Sequence, residues 1–140
     1  MIFTQPNWSY TVNIRIPTIT TLTIRLGLAE TITGASWEAA DNAFFKFDPA
    51  ASANWQCVTF ASAAQTTTTT TAVVAATFYK LKVVKDGTTI RFYLNDVNVA
   101  NHTTQLPVAN CSPALQVQTN TAALRALEID YFRLSMILAR

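Results

Sequence analysis

Glycine, cysteine, histidine and charged residues are all scarce in this sequence. Its 140 residues include 3 glycines, 2 cysteines and 1 histidine, and 13% of them are charged, against about a quarter in average proteins. Three widely separated glycines exclude a glycine-rich phosphate loop. Two distant cysteines and one histidine do not form a recognisable zinc set. We therefore expect no metal and no cofactor.

Long apolar runs and clusters of basic residues are also missing. No apolar stretch reaches the roughly 18 residues of a membrane span, and no signal-peptide pattern opens the chain. The net charge is +2, from 10 basic and 8 acidic side chains. Only Lys80, Lys82 and Lys85 form a local basic group. Because nucleic-acid binding needs a concentrated basic surface, we expect neither a nucleic-acid nor a membrane partner.

The few reactive side chains are expected to be structural. Cys57 lies in an alternating segment and Cys111 in the loop-like stretch "ANCSP". Free buried thiols and a disulfide both remain open for this pair. His102 ends a strand-like segment between Asn101 and Thr103, with no nearby run of carboxylates, which predicts a surface position.

Apolar and polar residues alternate with a period of two through most of the chain, the pattern of half-buried β-strands. Nine segments carry it: "WSYTVNIRIP", "TLTIRLGL", "NAFFKFD", "NWQCVTF", "TFYKLKVV", "TTIRFYL", "VNVANHT", "ALQVQT" and "RALEIDYFRLSM". The threonines of residues 66–71 are interpreted as a Thr-rich strand or hairpin, with a mucin-like stalk as the alternative. Residues 30–41 are predicted to form a loop with room for one helical turn around Glu38.

Short turns between these segments favour antiparallel pairing. Asp86-Gly87 is a strong hairpin signal because its residues tolerate positive φ, and Asn95-Asp96 marks a second tight turn. About nine short strands without helices predict an all-β fold, an antiparallel two-sheet β-sandwich, as a single domain over residues 1–140. The expected core consists of Tyr10, Val12, Ile14, Ile16, Leu22, Ile24, Leu26, Trp55, Leu81, Val83, Phe92, Leu115, Val117, Ile129 and Tyr131.

Four blocks in this order resemble the concanavalin A-like jelly-roll domains of tailed-phage virion proteins. They are "VNIRIPTITTLTIRLGL", "ANWQCVTFASAAQTTTTTTAVVAATFYKLKV", "DGTTIRFYLNDVNVANHTTQLP" and "SPALQVQTNTAALRALEIDYFRL". The closing "RALEIDYFRL" and the "DGTTIRFYLND" hairpin are the most specific parts. The resemblance implies a curved two-sheet sandwich, frequent oligomers and, in some members, glycan binding. It also implies one or two further strands ahead of the first one here.

The resemblance does not imply one function. We expect a non-enzymatic structural protein of a virus particle surface, either a capsid-decoration knob or a fibre-head domain of a tailed phage. Its expected partners are other copies of itself in a trimer, other virion proteins and a host-surface glycan. Its expected location is the virion surface, after synthesis in the host cytoplasm. The alternative is a carbohydrate-binding module that recognises cell-surface glycans.

The stretch "ALEIDYFRL" raises the question of catalysis. Glu128 and Asp130 begin the Glu-x-Asp-x-x-Glu signature of the β-jelly-roll glucanases, but Phe132 and Arg133 stand where the second catalytic carboxylate belongs. A retaining glycosidase needs two carboxylates about 5–5.5 Å apart. We therefore predict no catalytic residues. Alternation places Glu128, Asp130 and Phe132 on one strand face, and we expect the two acids either to face solvent or to pair with Arg125 or Arg133.

A glycan site is predicted in the loop at Trp37. Sugar sites stack an aromatic face on the sugar ring and bind its hydroxyls through carboxylates and amides. Trp37, Glu38, Asp41 and Asn42 are the aromatic, acidic and amide residues that this loop brings together. The alternative is that Trp37 caps one end of the core.

An assembly edge is predicted at the first strand, on Trp8, Tyr10, Val12 and Ile14. With no strand ahead of it, this strand would have an open row of backbone groups, which proteins normally cover or charge. Arg15 is its only edge charge. We therefore expect a neighbouring subunit to pack over it.

Overall fold

Ten β-strands form two antiparallel five-stranded sheets in the computed structural model, which describes residues 7–30 and 37–137. Sheet A has the strand order β10-β1-β6-β7-β8 and sheet B the order β5-β4-β3-β2-β9. The strands are β1 (Asn7–Arg15), β2 (Leu22–Ala29), β3 (Asn42–Phe47), β4 (Asn54–Phe60), β5 (Ala64–Ala72), β6 (Phe78–Asp86), β7 (Thr89–Leu94), β8 (Val97–His102), β9 (Ser112–Thr119) and β10 (Glu128–Ile137). The predicted all-β sandwich is confirmed.

The threonine run is the strand β5. β-branched threonines suit a half-buried pleated surface, and here Thr67 and Thr69 turn towards the core while Thr66, Thr68 and Thr70 are exposed. The strand pairs with β4 at the edge of sheet B. This confirms the prediction of a Thr-rich strand with one solvated face.

Both predicted hairpin turns occur. Asn95 and Asp96 join β7 to β8 with φ values of 50° and 66°, and two consecutive positive φ angles are typical of the type I′ turn. In the β6–β7 hairpin, Gly87 adopts a φ of 58°. No helix in the described part of the chain is long and apolar enough to cross a membrane.

The core lies between the sheets and is rich in aromatic rings. Phe45 of sheet B meets Phe92 of sheet A edge-on, with ring centroids 5.3 Å apart, and Trp55 contacts Tyr79 in the same way at 6.1 Å. Each large apolar side chain buried in this way contributes about 1.5–3 kcal/mol. These contacts hold the two sheets together.

Three residues predicted for the core are exposed. Leu115, Ile129 and Tyr131 keep 38%, 50% and 41% of their surface accessible. Leu115 and Ile129 face inward on β9 and β10, which are edge strands whose inner faces are only partly covered. Tyr131 lies on the outer face, because the β-bulge in β10 places it opposite Asn13. Alternation alone does not distinguish an edge strand from a central one.

The first strand is not an edge, so the premise of the predicted assembly site is wrong. β1 pairs with β10 on one side and with β6 on the other. The side chains predicted to meet a neighbouring subunit instead point into the core: Trp8 and Tyr10 are each 4% exposed, and Val12 and Ile14 are fully buried. The last strand of the chain covers the first one.

His102 is buried, which corrects its predicted surface position. It projects from β8 between the sheets, where its Nδ1 lies 2.9 Å from Thr59 Oγ1 and its Nε2 lies 3.0 Å from Thr67 Oγ1. Burial lowers the pKa of His102 to about 4, because the charged form loses its hydration.

The two cysteines are free and buried. Burial raises the pKa of the Cys57 thiol far above its ordinary value, and burial followed by the nearby Asp41 and Glu30 raises that of Cys111 to about 12. Both are therefore thiols at neutral pH and behave as small core residues.

Candidate functional site

The predicted glycan cluster at Trp37 does not form a binding site. Trp37 is fully buried and meets Phe44 edge-on at 5.1 Å on the outer face of sheet B. It belongs to a small apolar cluster with Ala29, Phe44, Val58 and Ala114. Neither face of its indole is open to a sugar ring, so the alternative structural role is the correct one, although Trp37 caps the outside of a sheet and not the end of the core.

Asp41 and Asn42 also have structural roles. Asp41 Oδ2 accepts hydrogen bonds from the backbone N–H groups of Val108 (2.6 Å) and Ala109 (2.7 Å). The Asn42 side chain is fully buried; it accepts from Glu30 N and donates to the carbonyl of Trp37. These bonds tie Asp41 to the segment at Val108 and Ala109 and Asn42 to Glu30 and Trp37, which are structural roles.

Glu38 is the member of the predicted cluster that faces solvent. Its carboxylate lies 2.6 Å from Lys46 Nζ and 3.4 Å from Arg25 Nη2. Partial burial alone would raise the pKa of Glu38, but the hydrogen bond and charge of Lys46, followed by the charge of Arg25, outweigh it and lower the pKa. Glu38 is thus held as an anion between two cations.

These two cations belong to a row of polar side chains that crosses sheet B on its outer face. The strand registers pair Gln116 with Arg25, Arg25 with Lys46, Lys46 with Gln56, and Gln56 with Thr68. We call these five residues the polar row. It takes one residue from each strand, and at about 4.8 Å between strands it spans about 19 Å, the length of a short oligosaccharide.

Arg25 is at the centre of the hydrogen bonding in the row. Its Nη1 donates to Gln116 Oε1 at 3.0 Å and to Gln118 Oε1 at 3.4 Å. The side chain is only 12% exposed, and its Nε has no acceptor among residues 7–30 and 37–137.

The residues of the broken glucanase signature lie on the opposite side of the molecule. Glu128 forms an ion pair with Arg15 at 2.9 Å, and Asp130 accepts from Asn13 Nδ2 at 3.1 Å, both on the outer face of sheet A. Both acids are exposed, as one of the two predicted alternatives has it, whereas the predicted partners Arg125 and Arg133 are wrong.

A β-bulge changes the faces of the last strand. The register with β1 shifts between Asn13 and Ile14, so that Phe132 lies opposite the inward-facing Val12. Phe132 is therefore on the other face from Glu128, contrary to the prediction from strict alternation. Groups of three or more His, Cys, Asp and Glu that could hold a metal are absent from the described residues.

The polar row was missed by sequence reasoning, although three of its five members had a signal. Arg25, Lys46 and Gln56 each stand between two apolar residues of an alternating segment. Alternation predicts that such residues face solvent, but only the strand order and register bring them into one line. Neither the strand order nor the register can be derived from the spacing of residues in the sequence.

The fold and the row define an all-β jelly-roll domain with a polar outer sheet face. The chain belongs to the family of the SO2946-like, C-terminal domain, whose sequence model matches residues 4–130. No curated protein matches the chain.

Solved structures share the fold at low sequence identity. The protein of unknown function SO2946 from Shewanella oneidensis MR-1 superimposes with a TM-score of 0.69 and 18% identity, over 95% of this chain and 59% of that one. The carbohydrate-binding module CBM66 from Bacillus subtilis gives 0.63 and 15%, over 92% and 74%. The alginate lyase AlgAT5 of polysaccharide lyase family 7 gives 0.62 and 13%, over 94% and 60%. The chain thus spans about three-fifths of the SO2946 protein and of the lyase.

Proposed function

We propose that this protein is a carbohydrate-binding jelly-roll domain whose ligand lies across the polar row of sheet B. The observation that carries the proposal is the row itself, with polar side chains from five adjacent strands in one line. The similarity to a carbohydrate-binding module supports it. The alternative function of the sequence analysis is therefore favoured over the virion role.

The chemistry of the row suits sugar hydroxyls. Gln116 and Gln56 offer both donors and acceptors, Arg25 and Lys46 offer donors, and the hydroxyl of Thr68 offers both. Sugar hydroxyls need such mixed partners along an extended surface. The carboxylate of Glu38 neutralises part of the positive charge of Arg25 and Lys46, so the row does not require a highly charged ligand.

The proposal treats the domain as binding and not catalytic. A glycosidase of the common type needs a second carboxylate within a few ångströms of the first. Glu38 is the one carboxylate that contacts the row in the described part of the chain, and its lowered pKa keeps it ionised, which does not suit a general acid. The structural similarity to an alginate lyase is a similarity of fold and does not indicate catalytic residues in this chain.

The virion-surface role, with its trimer and its virion partners, stays a prediction of the sequence resemblance. Glycan binding is compatible with it, because surface domains of virus particles of this kind recognise glycans in some cases. The described residues contain no feature that favours the virion role specifically.

Binding assays with a panel of oligosaccharides test the proposal. We expect at least one glycan to bind the wild-type domain, and the double variant Lys46→Ala with Gln56→Ala to lose that binding. Lys82→Ala is the matched control, because Lys82 lies on the outer face of sheet A over Tyr93. Binding that survives the double variant, or that Lys82→Ala removes equally, would contradict the proposed site.

A further inference from the structure

One of the two edges of sheet A is the strand β10. β10 pairs with β1 through nine of its ten residues, and no other described strand pairs with its far side. An edge of this kind has a row of free backbone N–H and C=O groups, which proteins usually protect with lysines, prolines or bulges. β10 has one bulge, at Asp130, and contains neither lysine nor proline.

Exposed apolar side chains gather at the same edge. Ile129, Tyr131 and Phe132 of β10 are 50%, 41% and 64% exposed, and Leu115 of the neighbouring edge β9 is 38% exposed. Ile129, Phe132 and Leu115 line an apolar cleft of about 170 Å³ between the two sheets. Scattered exposed apolar residues are ordinary, whereas a contiguous patch marks an interaction site.

We propose that β10 pairs with β10 of a second copy of this chain. Antiparallel pairing across a two-fold axis at Phe132 joins the two A sheets into one continuous sheet of ten strands. An isologous contact of this type satisfies the backbone groups of both edges and closes at two copies. The inference is independent of the proposed glycan site, which lies on sheet B.

The distribution of side chains along β10 fits this register. With Phe132 opposite its own copy, Tyr131 lies opposite the copy's Arg133 on the outer face. On the inner face, the bulge at Asp130 brings Ile129 opposite the copy's Leu134, so that apolar residues face apolar residues. Cross-strand pairs of this kind stabilise a sheet.

Charge also selects this register. Arg133 makes no ion pair within residues 7–30 and 37–137, and the two-fold register sets it diagonally across from the copy's Asp130. Moving the axis by one residue to Arg133 would place two guanidinium groups opposite each other, which is unfavourable. A trimer would need two different surfaces in head-to-tail contact, and β10 meeting itself does not provide them.

Sedimentation equilibrium of the full chain tests this proposal. We expect a concentration-dependent dimer for the wild type. Phe132→Asp places two carboxylates opposite each other on the axis and should raise the dimer dissociation constant by at least about tenfold. Val97→Asp is the matched control, since Val97 is also 64% exposed and lies on β8, the other edge of sheet A; it should leave the dimer unchanged.

A pair of charge-exchange variants separates a loss of dimerisation from a loss of folding. Arg133→Asp and Asp130→Arg should each weaken the dimer, and the two together should restore it, with circular dichroism showing a folded sandwich throughout. A monomer at every concentration, a trimer, or a dimer that Val97→Asp disrupts and Phe132→Asp does not would each overturn the proposal.

Discussion

The imidazole of His102 on β8 lies 3.0 Å from the hydroxyl of Thr67 on β5. This polar contact connects an edge strand of sheet A with an edge strand of sheet B. A second contact, to Thr59 on β4, occupies the other ring nitrogen. Hydroxyl groups can donate or accept, so the neutral imidazole is fully paired at this buried position.

The stability of the domain should fall in mild acid because of His102. Its pKa is lowered from 6.5 to about 4 by burial, so between these pH values the unfolded chain takes up a proton that the folded chain does not. The stabilisation is complete above pH 6.5 and is lost as the pH falls towards 4, by up to about 3 kcal/mol. Urea unfolding from pH 7 to pH 4 measures this loss.

His102→Gln is the control for that prediction. Glutamine can still donate and accept within the site but does not titrate. The variant should be less stable at pH 7 and should lose stability less steeply between pH 6.5 and 4. An identical pH slope in both proteins would show that other groups cause it.

Trp37→Ala should destabilise the fold strongly and not act through a sugar contact. Removing a fully buried indole leaves a cavity beside Phe44, and such substitutions cost about 3–5 kcal/mol. Trp37→Phe should cost clearly less, because Trp37 Nε1 has no acceptor among the described residues and the replacement therefore breaks no hydrogen bond. Chemical denaturation measures both; equal, small effects would contradict the burial of this ring.

Gly27→Ala tests the close approach of β2 and β3. A Cβ at Gly27 would lie 2.3 Å from the carbonyl oxygen of Ala43 and 2.6 Å from Cα of Phe44. Backbone atoms cannot move aside cheaply, so the substitution should cost at least the roughly 1–3 kcal/mol of an overpacked core. Gly87→Ala introduces no contact within 4 Å and shows, by comparison, the cost of the positive φ alone.

Glu128→Gln should leave glycan binding unchanged, and the domain should not hydrolyse β-glucans. Glu128 forms an ion pair on the outer face of sheet A, the opposite side from the polar row, and exposed ion pairs contribute at most about 1 kcal/mol. Reducing-sugar assays and binding titrations check the two statements. Turnover that disappears in the variant would contradict them.

The sequence predicted the strands well because period-two alternation is a local property. It identified nine of the ten strands and left the threonine run, now β5, as a strand or hairpin. It did not predict that β10 covers β1, because strand order depends on contacts between distant residues. Strict alternation also does not predict the β-bulge that places Phe132 on the inner face, because the bulge appears only in the pairing of β10 with β1.

The site was harder to predict than the fold. Of the four residues proposed for it, Glu38 alone contacts the polar row, while Trp37 and Asn42 are fully buried. The composition of the Trp37 loop suggested a sugar site, but its indole covers apolar surface on sheet B. The indole is buried because it packs on the apolar side chains of sheet B. The sequence of the loop does not show which strand residues the loop covers.

The measurement that tests the central claim most directly is a nitrogen-15 NMR titration of the domain with the glycan that binds best. The account predicts that the largest shifts fall on the amides of Arg25, Lys46, Gln56 and Gln116, together with the guanidinium N–H of Arg25, whose Nε lacks an acceptor within the described residues. Shifts concentrated on β10 or on the outer face of sheet A, with the polar row unchanged at saturation, would contradict it.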